Sequence, residues 1–118
     1  MGLDMFLQVK NGDQEIVIGY WRKANAIHNW FVTHCASGVD ECQPTPVTRE
    51  NLSTLRGLCV ATLHDPDTAD ANLPTRTGFF FGATDYDDYY LDDLNRTVAI
   101  CDKALTTDYQ EFIYRASW

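Results

Sequence analysis

The chain has 118 residues, 45% of them hydrophobic and 22% charged, with 17 Asp and Glu against 9 Lys and Arg for a formal charge of −8. That composition excludes a collagen-like fibre and a largely disordered chain. A pI near 4.5 sets the chain against phosphate backbones and excludes general nucleic-acid binding. The length suits one domain, residues 1–118, and no apolar run approaches the ~20 residues of a membrane-spanning helix.

In chain order, Leu3, Met5, Leu7 and Val9 alternate with Asp4, Gln8 and Lys10 and predict a half-buried strand over 3–9. Asn11-Gly12 is a strong hairpin signal, with Asp13 able to lengthen the turn. The second strand follows over 15–21, with Ile16, Ile18 and Tyr20 on one face and Val17 and Trp21 on the other. Ala24, Ile27, Phe31 and Cys35 then fall on one stripe and predict a helix over 22–35, ended near Gly38. Residues 36–47, with Pro44 and Pro46, read as a loop. Thr48 is a good N-cap for a helix over 49–63, whose buried face is Leu52, Leu55, Cys59 and Leu63.

The stretch from His64 to Thr77 reads as loop with a short helical turn, and Gly78-Phe79-Phe80-Phe81-Gly82 as a buried strand or extended segment. Thr84 is the expected cap of a third helix over 85–105, where Leu91, Leu94, Val98, Cys101 and Leu105 recur at helical spacing and Asp85, Asp87 and Asp88 suit the first-turn dipole. A last strand is expected over about 110–116, beside a hairpin strand. The order predicts an α+β fold: a small antiparallel sheet, made of the N-terminal hairpin and the C-terminal strand, packed against about three helices.

The N-terminus shows no basic segment ahead of an apolar one, which points away from a secretory leader, and Phe6 stands where a myristoylation motif needs Ser or Thr. A cytoplasmic place and reduced thiols are therefore expected. Cys35, Cys42, Cys59 and Cys101 contain no C-x-x-C pair. His28, His34, Cys35 and Cys42 match no standard zinc spacing, so neither metal nor cofactor is expected. Phosphate-binding loops, G-x-S-x-G and H-E-x-x-H are absent, so no catalytic residue is assigned and an enzyme has no positive support.

Two segments carry candidate chemistry. In Tyr20–Phe31, Arg22 and Lys23 stand at the expected start of a helix, where the dipole disfavours cations. An anion would relieve the conflict. Asn25 and His28 lie on one shoulder of the apolar stripe, with Lys23 and Trp30 on the other. In the second segment, Gly78–Tyr90, aromatic rings can stack on a base, and Thr84 opens a helix whose N-terminus is a second possible anion site. The expected ligand-binding set is Trp21, Arg22, Lys23, Asn25, His28, Trp30, Phe80 and Thr84. The competing reading has Lys23 covering Trp30, Arg22 paired with an aspartate and His28 satisfied at the core boundary.

The segments Tyr20-Trp21-Arg22-Lys23-Ala24-Asn25-Ala26-Ile27-His28 and Gly78-Phe79-Phe80-Phe81-Gly82, with Asp85-Tyr86-Asp87 and Tyr90-Leu91-Asp92-Asp93-Leu94, resemble a family of small uncharacterised proteins of tailed bacteriophages and prophages. The resemblance runs from the first strand through the third helix. It implies action in the cytoplasm of an infected bacterium, where small accessory phage proteins often counter host defences. The expectation is a defence-countering binder that sequesters a phosphorylated, nucleotide-like small molecule. The alternatives are an acidic protein–protein inhibitor occupying a host defence protein, and a small nucleotide-acting enzyme. Contact with nucleic-acid backbones or membranes is not expected, and an oligomer is left open.

Overall fold

A computed structural model describes residues 2–78 and 83–118. Strands β1 (Asp4–Asn11) and β2 (Gln14–Arg22) form the N-terminal hairpin, followed by α1 (Asn25–Cys35), β3 (Thr45–Thr48) and α2 (Arg49–His64). A short 3-10 turn (Pro66–Thr68), α3 (Ala69–Asn72), α4 (Asp88–Leu105) and β4 (Glu111–Ser117) complete the order. The strands make one antiparallel sheet in the order β2-β1-β4-β3. The expected α+β architecture and the place of the C-terminal strand beside the hairpin are therefore observed.

The differences have local causes. The hairpin turns at Gly12-Asp13, with Asn11 paired to Gln14 and Gly12 at φ +66. A bulge sets Val17 opposite Gln8 but Gly19 opposite Leu7, so Ile18 faces no residue of β1. The extra residue reverses the alternation and breaks the face assignment expected for β2. Helix α1 begins at Asn25 rather than residue 22: Arg22 still belongs to β2, and Lys23 takes a left-handed φ of 55 that ends the strand.

The expected 36–47 loop contains the start of β3. Its prolines made it read as loop, yet an edge strand tolerates them, and Pro46 pairs with Ile113 there. Thr48 does cap α2, in a reciprocal box with Asn51. For α4 the cap is Asp87, not Thr84: Asp87 accepts from the Tyr90 N–H (3.1 Å), and the helix starts three residues later than expected. The strand expected over Gly78–Gly82 falls on residues 79–82, outside the described residues.

One face of the sheet is buried. Met5, Leu7 and Val9 of β1, Phe112, Tyr114 and Ala116 of β4, and Thr45 and Val47 of β3 point into a core completed by Ile27 and Phe31 of α1, Leu52, Leu55 and Cys59 of α2, and Leu94 and Cys101 of α4. Burial lifts the Cys35 thiol to about 11 and that of Cys101 to about 12, so both are protonated packing groups. The opposite face, with Phe6, Gln8, Ile113 and Arg115, is half-buried. Among the described residues no helix is long and apolar enough to cross a membrane.

Helix α4 crosses β2 at Gly19. A Cβ at that position would fall inside the Ile100 side chain, so only glycine lets the helix sit this close. Gly19→Ala is expected to destabilise the fold by about 1–3 kcal/mol in urea unfolding, the range for overpacking a filled core. Ile100→Ala in the same chain is expected to recover part of that loss, because it empties the space the new methyl needs.

Candidate functional site

A cavity of about 800 Å³ lies between the β2–α1 junction and the N-terminal half of α4. Its first wall starts with Arg22 and Lys23 and continues into Ala24, Asn25, Ala26 and Ile27, the first turn of α1. That turn has Ala24 as its N-cap and no side-chain cap hydrogen bond. The Asn25 N–H is taken by the Lys23 carbonyl (3.0 Å), and among the described residues the Ala26 and Ile27 N–H groups of the first turn have no acceptor. Helix dipole and cations therefore add on this side, and both favour an anion.

The facing wall is α4. Tyr89, Asp92, Asp93 and Arg96 line the cavity there, with Asp85 and Asp87 at the approach. Tyr90 is buried and donates its hydroxyl to the Leu73 carbonyl (2.7 Å), which turns the neighbouring Tyr89 outward. Tyr89 is 80% exposed, the exposed aromatic ring at the mouth of the cavity.

Asp93 is half-buried, and among the described residues its carboxylate accepts no hydrogen bond. Desolvation pushes it up to about 6; Arg96 pulls it down, and Asp92 and Asp87 push it further up. Arg96 has no hydrogen bond or ion pair among the described residues, and neither has Lys23. Arg22 is partly committed: its Nη1 donates to Asp4 Oδ1 (3.0 Å), which also accepts from the Tyr20 hydroxyl (2.7 Å). The Tyr20 bond holds the Asp4 carboxyl below its usual value.

Of the eight residues singled out in the sequence, Arg22, Lys23 and Asn25 line this cavity. Asn25 works as a clamp. Its Oδ1 accepts from the Arg76 N–H (3.0 Å) and its Nδ2 donates to the Ala83 carbonyl (2.8 Å), so one side chain holds both flanks of the segment between them. A second tie joins the same flanks, from the Thr75 hydroxyl to the Thr84 carbonyl (3.0 Å). The Thr84 residue itself is exposed and caps no helix. Phe80 lies outside the described residues.

Trp21, His28 and Trp30 are in the core. The Trp21 indole N–H donates to Thr97 Oγ1 (2.8 Å), and its ring meets Phe31 and Tyr114 edge-on. Trp30 packs against Phe31 and His34, and its indole N–H has no partner among the described residues. His28 Nε2 donates to Asp40 Oδ1 (2.8 Å), and Nδ1 accepts from the Tyr114 hydroxyl (2.6 Å). Burial holds the imidazole below its usual value against the opposing pull of Asp40, so the ring is neutral at pH 7 with its proton on Nε2.

Asp93 and Arg96 were not singled out from the sequence, and Tyr89 only as one ring of the Gly78–Tyr90 segment. Two signals were available. Tyr89 stands beside a tyrosine that completes the buried stripe of α4, which forces its own ring off that stripe. Arg96 is the one base between Ala83 and Arg96, a stretch holding five aspartates.

Comparison with protein-family models, with curated proteins and with solved structures finds no match to this chain. The site is therefore read from its own chemistry.

A carboxyl raised toward 6 in the folded state is a stability liability at neutral pH: the unfolded chain ionises it freely near 3.8, and the folded chain does not. Asp93→Asn is expected to stabilise the protein at pH 7 by about 1–2 kcal/mol, allowing for the part of the group that solvent screens. The advantage is expected to close as pH falls from about 6 toward 3.8, because the native carboxyl then becomes neutral without the substitution. Thermal unfolding of both chains across that pH range measures it.

Proposed function

We propose that the protein binds and sequesters a phosphorylated, nucleotide-like small molecule in the cavity between α1 and α4. The observation that carries the reading is the division of that one cavity. A helix N-terminus without a side-chain cap, flanked by Arg22 and Lys23, stands on one wall, and an outward tyrosine ring with the Asp92 and Asp93 carboxylates, which accept no hydrogen bond among the described residues, stands on the other. An anion alone suits only the first wall. A ligand that is anionic at one end and presents a flat ring with N–H donors at the other suits both.

In this reading the phosphate rests on the Ala26 and Ile27 amides with Lys23 and Arg22 beside it. Arg96 supplies the cation of the far wall, and the ring stacks on Tyr89 with its N–H edge toward Asp92 and Asp93. His28, the histidine nearest the first wall in sequence, has both ring nitrogens engaged in the core and is not placed to act on such a ligand. Binding without turnover is the expected activity. The resemblance to phage and prophage proteins supplies the setting, in which removal of a nucleotide signal blocks a bacterial defence in the cytoplasm of the infected cell.

Titration calorimetry with nucleoside mono- and diphosphates and cyclic dinucleotides tests the reading, with inorganic phosphate alone as control. At least one nucleotide is expected to bind more tightly than phosphate. Lys23→Ala is expected to weaken it by about 1.5–3 kcal/mol, the worth of a charge-assisted bond, which is roughly 10- to 150-fold in Kd. Tyr89→Ala is expected to weaken nucleotides and leave phosphate binding as it was. Failure of every phosphorylated compound to bind, or binding indifferent to Lys23→Ala, overturns the reading.

A further inference from the structure

The two edges of the sheet differ sharply. The β3 edge is four residues long, carries Pro46 and is preceded by Pro44, so it offers few donors to an incoming strand. The β2 edge is nine residues long, which is roughly 30 Å of strand. It contains no proline and no lysine. Among the described residues no strand pairs with its outer side, because β2 ends the sheet.

The same strand carries three of the large hydrophobics that the described surface exposes: Ile16 (38%), Val17 (48%) and Tyr20 (40%). A long edge with apolar side chains and neither proline nor lysine, interrupted by one bulge at Ile18, is a template for another strand. Its charges also suit a particular strand. In a chain of net charge −8, β2 has one acid near its start, Glu15, and one base at its end, Arg22; each already makes an exposed in-chain ion pair, with Arg115 and Asp4 respectively, so a second copy adds a further partner to each. Antiparallel pairing of β2 with itself brings the acidic end of each strand to the basic end of the other, while parallel pairing sets like charges together.

We infer that the β2 edge is the self-association surface of this protein: two copies pair their β2 strands antiparallel about a two-fold axis near the middle of the strand, making one continuous eight-stranded sheet. The interface is isologous, so a single patch serves both copies. Because Arg22 stands both at the end of β2 and on the cavity wall, this arrangement brings the Gly12-Asp13 hairpin turn of each copy toward the rim of the other's cavity.

Sedimentation equilibrium of the full chain over a concentration series tests this independently of any ligand. A two-chain mass is expected at the upper concentrations. Val17→Lys, which places an ammonium on the edge, is expected to give a single-chain mass with an unchanged circular-dichroism spectrum. Glu15→Arg is expected to weaken the dimer, and Glu15→Arg with Arg22→Glu to recover it, since an antiparallel pair restores opposite charges at both ends. A chain that stays monomeric throughout, or a folded Val17→Lys chain that stays dimeric, overturns the inference. Should Val17→Lys fail to fold, the charge-exchange series decides it: no loss with Glu15→Arg, or no recovery in the double exchange, overturns it equally.

Discussion

A single buried hydrogen bond, from the Trp21 indole to the Thr97 hydroxyl, fixes the relation between sheet and helix on which the cavity depends. Both residues are fully enclosed, and a buried indole N–H left unpaired costs about 1–3 kcal/mol, so the bond selects one position of α4 along β2. Thr97 in turn donates to the Asp93 carbonyl (2.7 Å), one turn back along α4. The residue after Trp21 is Arg22. The two cavity walls are thus the next residues on either side of one polar contact, and Gly19 beneath Ile100 removes the steric obstacle to it. A change at Trp21 would act on the site through position, without touching a ligand.

A second polar line braces the cavity from the opposite direction. Tyr114 of β4 donates to His28 of α1, His28 donates to Asp40, and Asp40 lies 3.5 Å from the Arg76 guanidinium, which also donates to Asn29. Each buried member therefore has a partner, the condition under which a polar core network is stable. Neutral His28 is what allows it. A doubly protonated ring would lose its acceptor at Nδ1 and confront the Tyr114 hydroxyl with a second donor. As pH falls below the ordinary histidine value near 6.5, the unfolded chain takes up a proton that the folded ring resists, so this group withdraws stability on the acid side. Arg76 and Asn25 carry the restraint to the flanks of the segment that follows, which are held by side chains rather than by a ladder.

Much of the frame was legible because period and punctuation agreed. The alternation of Leu3 to Val9, the Gly12 turn, the Thr48 cap and the stripe from Leu94 to Cys101 each express one local rule, and each element formed within a few residues of expectation. The failures came where tertiary context outweighed local preference. Pro44 and Pro46 argued for loop, yet the free edge beside β4 needed no donor from Pro46. Arg22 and Lys23 read as a helix start in conflict with its dipole. In the fold Arg22 remains strand and Lys23 is the left-handed hinge, so the cations approach the helix end from outside it. Trp21, His28 and Trp30 read as candidate ligand contacts because aromatic and imidazole groups serve core and site alike. Only the partners across the fold, Thr97, Asp40 and Tyr114, tell the two apart, and those lie 12 to 86 positions away.

The arginines away from the cavity are committed within the protein. Arg49 spends its guanidinium on the Leu105, Thr107 and Tyr109 carbonyls at and beyond the end of α4, Arg56 pairs with Asp102, and Arg115 holds Gln8 and Glu15. Arg76 serves Asp40, and Arg22 serves Asp4. Arg96 alone among the arginines has no hydrogen bond or ion pair among the described residues, and it faces the same space as Lys23 and the undonated Asp93 carboxylate. In the proposed reading, the groups of both signs at this cavity that lack hydrogen-bond partners among the described residues take theirs from the ligand, the partner that arrives from solution. The two signs, set on walls that a buried indole holds at a fixed separation, then define what that partner must carry at each end.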